Sequence, residues 1–180
     1  MGAVSETRRA PDYASDIDKY GKFGEEVFLR YMTPICKKKN YSIIDVRDDA
    51  EYRKKDIDFL VDKNGNGIEK IEVKADGRGL DTGNIPYEYI SHCASGWSVV
   101  TECDKVFMVL FRDKIPLAPV KAFWIDMKKW NEWMKKRKQQ GRKINYILAE
   151  DGIVDILCKI DTLKKENIVL SEVSLNSMTI

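Results

Sequence analysis

Asp58, Glu72 and Lys74 are the residues of this chain whose types and spacing could do hydrolytic chemistry together. They lie in two apolar runs, Asp56-Ile57-Asp58-Phe59-Leu60-Val61 and Ile68-Glu69-Lys70-Ile71-Glu72-Val73-Lys74, separated by a short turn. Alternate side chains of a strand share a face, so Ile71 and Val73 point one way while Glu72 and Lys74 point the other. The same rule separates Asp58 and Leu60 from Ile57, Phe59 and Val61. Paired as a hairpin, the two runs bring Asp58 beside Glu72 and Lys74. Carboxylate oxygens there suit a hard divalent cation, Mg²⁺ or Mn²⁺ rather than Zn²⁺. An ammonium beside it could position or deprotonate a water. The competing reading is an ordinary hairpin with a charged, salt-bridged outer face. Asp56 falls on the same face as Asp58, so spacing leaves both open as the ligand.

These residues need elements to hold them. The turn Asp62-Lys63-Asn64-Gly65-Asn66-Gly67 repeats Asn-Gly, and both residue types tolerate the positive φ of a hairpin connection. Its letters also match the opening of a calcium loop, but Glu69 and Val73 stand where that loop requires an apolar residue and a final Glu. Upstream, Tyr20, Phe23, Val27, Phe28 and Tyr31 recur at helical spacing. This predicts a helix from Ser15, capped with Asp18 and ended by Pro34, that turns Glu25 rather than Glu26 inward. Strands are expected at 41–46, 56–61 and 68–73. The Gly-rich stretch Asp76 to Gly83 then leads into 85–97, read as a loop over the site. Val106 to Phe111 reads as a buried central strand. Asp126 should cap a helix with Met127, Trp130, Trp133 and Met134 on its buried side, stopped by Gly141. Weak strands are expected at 144–149 and 154–160.

Composition narrows the class. With 180 residues, 33% charged, 43% hydrophobic and a net charge of +2, the chain suits one soluble globular domain and excludes a uniformly basic surface. We divide it into a loose leader, 1–14, and a single domain, 15–180, with its core in 15–111 and a basic helix and C-terminal strands in 126–180. No apolar run is long enough for a membrane helix, and the first residues lack the apolar core of a secretion signal. The four cysteines, Cys36, Cys93, Cys103 and Cys158, lack metal-ligand spacing, so reduced thiols and a cytoplasmic setting are expected. His92 is the only histidine, which excludes chemistry built on two.

The order is a helix with an inward Glu, a strand, a strand with Asp, a strand with Glu-x-Lys, a helix or loop, and another strand. It resembles the PD-(D/E)XK nuclease superfamily. The match is carried by Gly21-Lys22-Phe23-Gly24-Glu25, by Asp58 in its run, and by Glu72-Val73-Lys74. It is similar to small bacterial, phage or resolvase-like members over residues 15–111. The departure is Lys55, not proline, before Asp56. The resemblance implies an α/β restriction-endonuclease-like core, a central mixed sheet of about four to five strands flanked by helices. It favours Asp58 over Asp56. It also implies that Asp58, Glu72 and the Val73 carbonyl hold the metal, that Glu25 binds through water or completes a second metal position, and that Lys74 orients the attacking water.

The implied activity is metal-dependent hydrolysis of nucleic acid, with DNA the expected substrate, leaving a 5′-phosphate and a 3′-hydroxyl. Asn84 and Glu88 are expected to face the site, with Tyr87, Tyr89 or Trp97 as a stacking surface. Asp126 to Lys143 holds eight Lys or Arg against two acids. Lys135 and Arg137 there are candidate phosphate contacts, although cations near a helix C-terminus also stabilise the helix itself. Cutting both strands of a duplex calls for two sites, hence a homodimer, although no residue argues for one directly. The rival from another class is a binding or assembly module on the same scaffold without cleavage.

Overall fold

The computed structural model describes residues 13–92, 94–112, 117–148 and 152–176, with side chains from Tyr20 onward. The expected leader through residue 12, the Ser15 and Asp18 side chains and Cys93 lie outside the described residues.

Helix α1 spans Tyr13–Lys39 and continues past Pro34, where the sequence predicted its end. Pro34 sits on the exposed side, so the carbonyl its ring leaves without a donor meets water, and burial of Cys36 just beyond holds the last turn. Strands β1 (Ser42–Asp45), β2 (Phe59–Asp62) and β3 (Ile68–Asp76) follow, with the one-turn helix α2 (Ala50–Arg53) between the first two. Asn64, Gly65 and Gly67 take positive φ in the β2–β3 turn, as the Asn-Gly pairs require.

The crossover from β3 to β6 (Lys105–Arg112) holds α3 (Gly79–Thr82), β4 (Asn84–Ser91), β5 (Ala94–Ser95) and α4 (Trp97–Val100). The stretch expected to be a loop is therefore largely a strand. Ile85 and Tyr87 are buried while Pro86 and Glu88 are less so, a period of two. Pro86 is tolerated because β5 pairs only with Ile90 and Ser91, leaving β9 as the partner there.

Next come β7 (Ala118–Asp126), α5 (Met127–Gln139), β8 (Tyr146–Leu148), β9 (Val154–Lys159), α6 (Ile160–Lys165) and β10 (Val169–Ser174). Asp126 caps α5 by accepting from the Lys129 N–H at 3.0 Å. Gly141, φ 61°, follows its end.

The fold is mixed α/β. One sheet has six strands in the order β1-β2-β3-β6-β7-β10, parallel only between β3 and β6. A second, antiparallel sheet runs β5-β4-β9-β8. This corrects the expectation of a single sheet of four to five strands. Neither β7 nor β10 was anticipated; β7 carries Pro119, which lies beside a register shift in the β6–β7 ladder. Helix α1 covers one face of the large sheet, packing Phe23, Val27 and Phe28 against Phe59, Ile71, Val73 and Phe107. The other face meets the small sheet, α5 and α6 through Leu60, Met108, Leu110, Phe123, Tyr87, Ile156, Trp130 and Leu163. No helix among the described residues is long and apolar enough to cross a membrane.

Candidate active site

Ile71 and Val73 enter the core under α1, so Glu72 and Lys74, one residue out of phase, point to the opposite face. The ladder between β2 and β3 runs from Asp62↔Ile68 to Phe59↔Ile71 and stops there. Asp58, one residue further, still donates its N–H to the Ile71 carbonyl at 2.9 Å. It uses its side chain where the ladder ends: Asp58 Oδ2 accepts from the Val73 N–H at 2.8 Å. In a strand, the N–H and C=O of one residue leave the same edge. The Val73 carbonyl therefore lies on the edge that Asp58 occupies.

Beyond that point β3 is paired only with β6, and a cleft of about 390 Å³ opens beside it. Asp58, Glu72 and Lys74 line the cleft together with Glu25, Glu88 and Trp97. Glu25 arrives from α1 because Gly24 lets the helix press on β3: a Cβ at Gly24 would stand 3.1 Å from the Ala75 Cβ. Trp97 arrives through Gly96, which packs so closely on β4 that a Cβ there would sit 2.4 Å from the Glu88 carbonyl oxygen. The Trp97 N–H donates to Glu88 Oε1 at 3.2 Å.

Glu72 is only 3% exposed. Its Oε1 pairs with Lys74 Nζ at 2.5 Å, and its Oε2 is buried without a hydrogen-bond partner. Burial pushes its carboxyl well above the usual range, against the pull of Lys74. Burial likewise raises Asp58, opposed by the Val73 N–H and Lys74 and reinforced by the charge of Glu25. For Lys74, burial pulls downward, but Glu72, Asp58 and Asp56 outweigh it and the ammonium is raised on balance. Its side chain remains 32% exposed, with Nζ 4.8 Å from the centre of the Trp97 ring. The Lys74 ammonium is thus held between the Glu72 carboxylate and the Trp97 ring.

Comparison with protein-family models, curated proteins and solved structures finds no match to this chain. The site therefore stands on its own geometry.

Of the two aspartates, Asp58 is the one that lines the cleft; Asp56 sits before β2 with φ 50°. Glu25 faces the cleft as expected, while Glu26 pairs outside with Arg30 at 2.6 Å. Glu88 is a wall of the cleft. Asn84 is not among its lining residues; its amide donates to the Thr82 carbonyl at 2.9 Å. Tyr87 is core, its hydroxyl 2.6 Å from Asn131 Oδ1 and its ring edge-on to Trp130. Lys138 covers the Tyr89 ring at 3.7 Å, so of the three aromatics Trp97 is the one presented to the cleft. Neither Lys135 nor Arg137 lines it. Arg137 donates to the Lys143 carbonyl at 2.9 Å and stacks on Trp133.

Arg47, Asp76 and Asp155 were missed. Asp76 continues the Glu72, Lys74 alternation and was legible once β3 is extended. Asp155 lies opposite Glu88 in the β4–β9 ladder and is pushed up to about 6 by burial and by the charges of Glu88 and Asp76. Arg47 bonds Glu25 and Asp45, and two acids far apart in sequence give no local signal of that.

Proposed function

We propose that the chain is a metal-dependent phosphodiesterase of nucleic acid, with DNA the expected substrate, on a restriction-endonuclease-like scaffold. The observation that carries this reading is the convergence of Asp58, Glu72 and Lys74 on one cleft. The scaffold reading is supported by the order of α1, the antiparallel β1-β2-β3 and then β6 parallel to β3.

A divalent cation fits the donors present. Glu72 Oε2 is buried and unpartnered, Asp58 has one oxygen beyond its bond to Val73, and the Val73 carbonyl shares that edge. Among the described residues no group of three or more His, Cys, Asp or Glu forms a metal cage. Two carboxylates and a carbonyl suit Mg²⁺, which keeps several of its waters. Bound there, the cation would polarise a phosphoryl oxygen and acidify a water.

The chain's own groups do the rest. The Val73 N–H fixes the Asp58 carboxylate, Glu72 holds the Lys74 ammonium in place, and that ammonium orients water or stabilises charge building on the phosphoryl group. The Trp97 ring offers a face for a base or sugar.

The reading without cleavage is favoured by one observation: Glu72 and Glu25 are already paired with Lys74 and Arg47. Incubating the protein with supercoiled plasmid, linear duplex, single-stranded DNA and RNA decides between them. Cleavage that needs Mg²⁺ or Mn²⁺, stops with chelator and falls roughly 10²-fold or more in Lys74→Ala supports the enzyme. Binding without cleavage under every condition supports the module.

A further inference from the structure

Glu25 faces the cleft, but its carboxylate is engaged. Oε2 accepts from Arg47 Nη1, and the guanidinium is held on two further sides. Its Nε and Nη2 donate to the two oxygens of Asp45 at 2.9 and 2.5 Å, and its plane lies over the buried Phe59 ring at 5.0 Å. The Arg47 carbonyl in turn accepts from Arg53 at 3.3 Å. A planar fork fixed by a bidentate carboxylate and an aromatic face is a rigid donor. The pair is partly buried, with the Arg47 and Glu25 side chains 31% and 21% exposed, so solvent screens it incompletely. Glu25 is also close enough to Asp58 for its charge to oppose ionisation there.

We propose that Arg47 is a positioning residue that clamps Glu25 and thereby sets how tightly the cleft takes up a divalent cation. This rests on the metal-site reading above. While clamped, Glu25 offers the cation one oxygen fewer and a compensated charge. Freed, it adds a third carboxylate beside Asp58 and Glu72. Asp45 anchors the clamp from the solvent side, and Gly24 fixes the helix that presents Glu25.

The test is titration of the full chain with Mn²⁺, following free Mn²⁺ by electron paramagnetic resonance, in wild type, Arg47→Met, Glu25→Gln, the double variant and Asp58→Asn. Arg47→Met should bind about fivefold tighter or more, Glu25→Gln should bind no tighter than wild type, and the double variant should lose the gain seen in Arg47→Met. Arg47→Gln replaces the Met variant if circular dichroism finds the latter unfolded. Unchanged or weaker uptake in Arg47→Met overturns the clamp. So does tightening that survives in the double variant, since it reports loss of a cation rather than release of Glu25. If wild type takes up no Mn²⁺, or Asp58→Asn leaves uptake unaltered, the metal-site reading fails and the clamp fails with it.

Discussion

Asp155→Asn should stabilise the protein, and by an amount that depends on pH. Asp155 faces Glu88 across the β4–β9 ladder and lines the same cleft as Asp76. Burial and these two charges push its carboxyl from the ordinary 3.8 up to about 6. The folded state thus holds the proton more firmly than the unfolded chain. Well below pH 4 both states are protonated and the group contributes nothing. As pH rises from about 4 to about 6 the unfolded chain ionises first and a penalty accumulates; above about 6 both are ionised and the penalty is complete. Asp155 is only partly buried, so screening by solvent leaves a penalty of about 1–2 kcal/mol. Asparagine keeps the shape without the charge, so the variant should exceed wild type by about 1–2 kcal/mol at pH 8, and the gain should shrink toward pH 4. Urea denaturation of both proteins between pH 4 and 8, without divalent cations, measures the difference. A gain of the same size at every pH, or none at pH 8, would refute the electrostatic account.

Two packing predictions accompany it. Gly96→Ala places a methyl 2.4 Å from the Glu88 carbonyl oxygen, which should cost about 1–3 kcal/mol. A lower melting temperature with altered tryptophan emission, from displacement of Trp97, checks it. Asp126→Ala removes the hydrogen bond that starts α5 and should lower stability by about 1 kcal/mol, read as a shifted denaturation midpoint with unchanged slope.

The pattern of the scaffold is written locally. Alternation in Ile71-Glu72-Val73-Lys74 assigns the acid and the lysine to one face, and twin Asn-Gly pairs dictate a tight turn. Together they bring Asp58 to the end of the β2–β3 ladder beside Glu72 and Lys74, because register follows once turn and alternation agree. Asp126 and Gly141 mark the ends of α5 by the same short-range logic. Glu25 was legible as the inward acid because a helix repeats every 3.6 residues.

Tertiary structure decided what joins residues distant in the chain. That Pro34 is spanned rather than obeyed depends on the burial of Cys36 beyond it. That 84–91 is a strand depends on β9, about seventy residues later, offering its edge; strand propensity is too weak to settle the matter alone. The Arg47 bond to Glu25 and the placing of Asp155 opposite Glu88 arise where separate elements are packed together, and no periodicity encodes which side chains then meet. Local sequence thus determined the faces and turns that bring Asp58, Glu72 and Lys74 together. Which charges surround them, and so how that trio is tuned, was set by long-range packing.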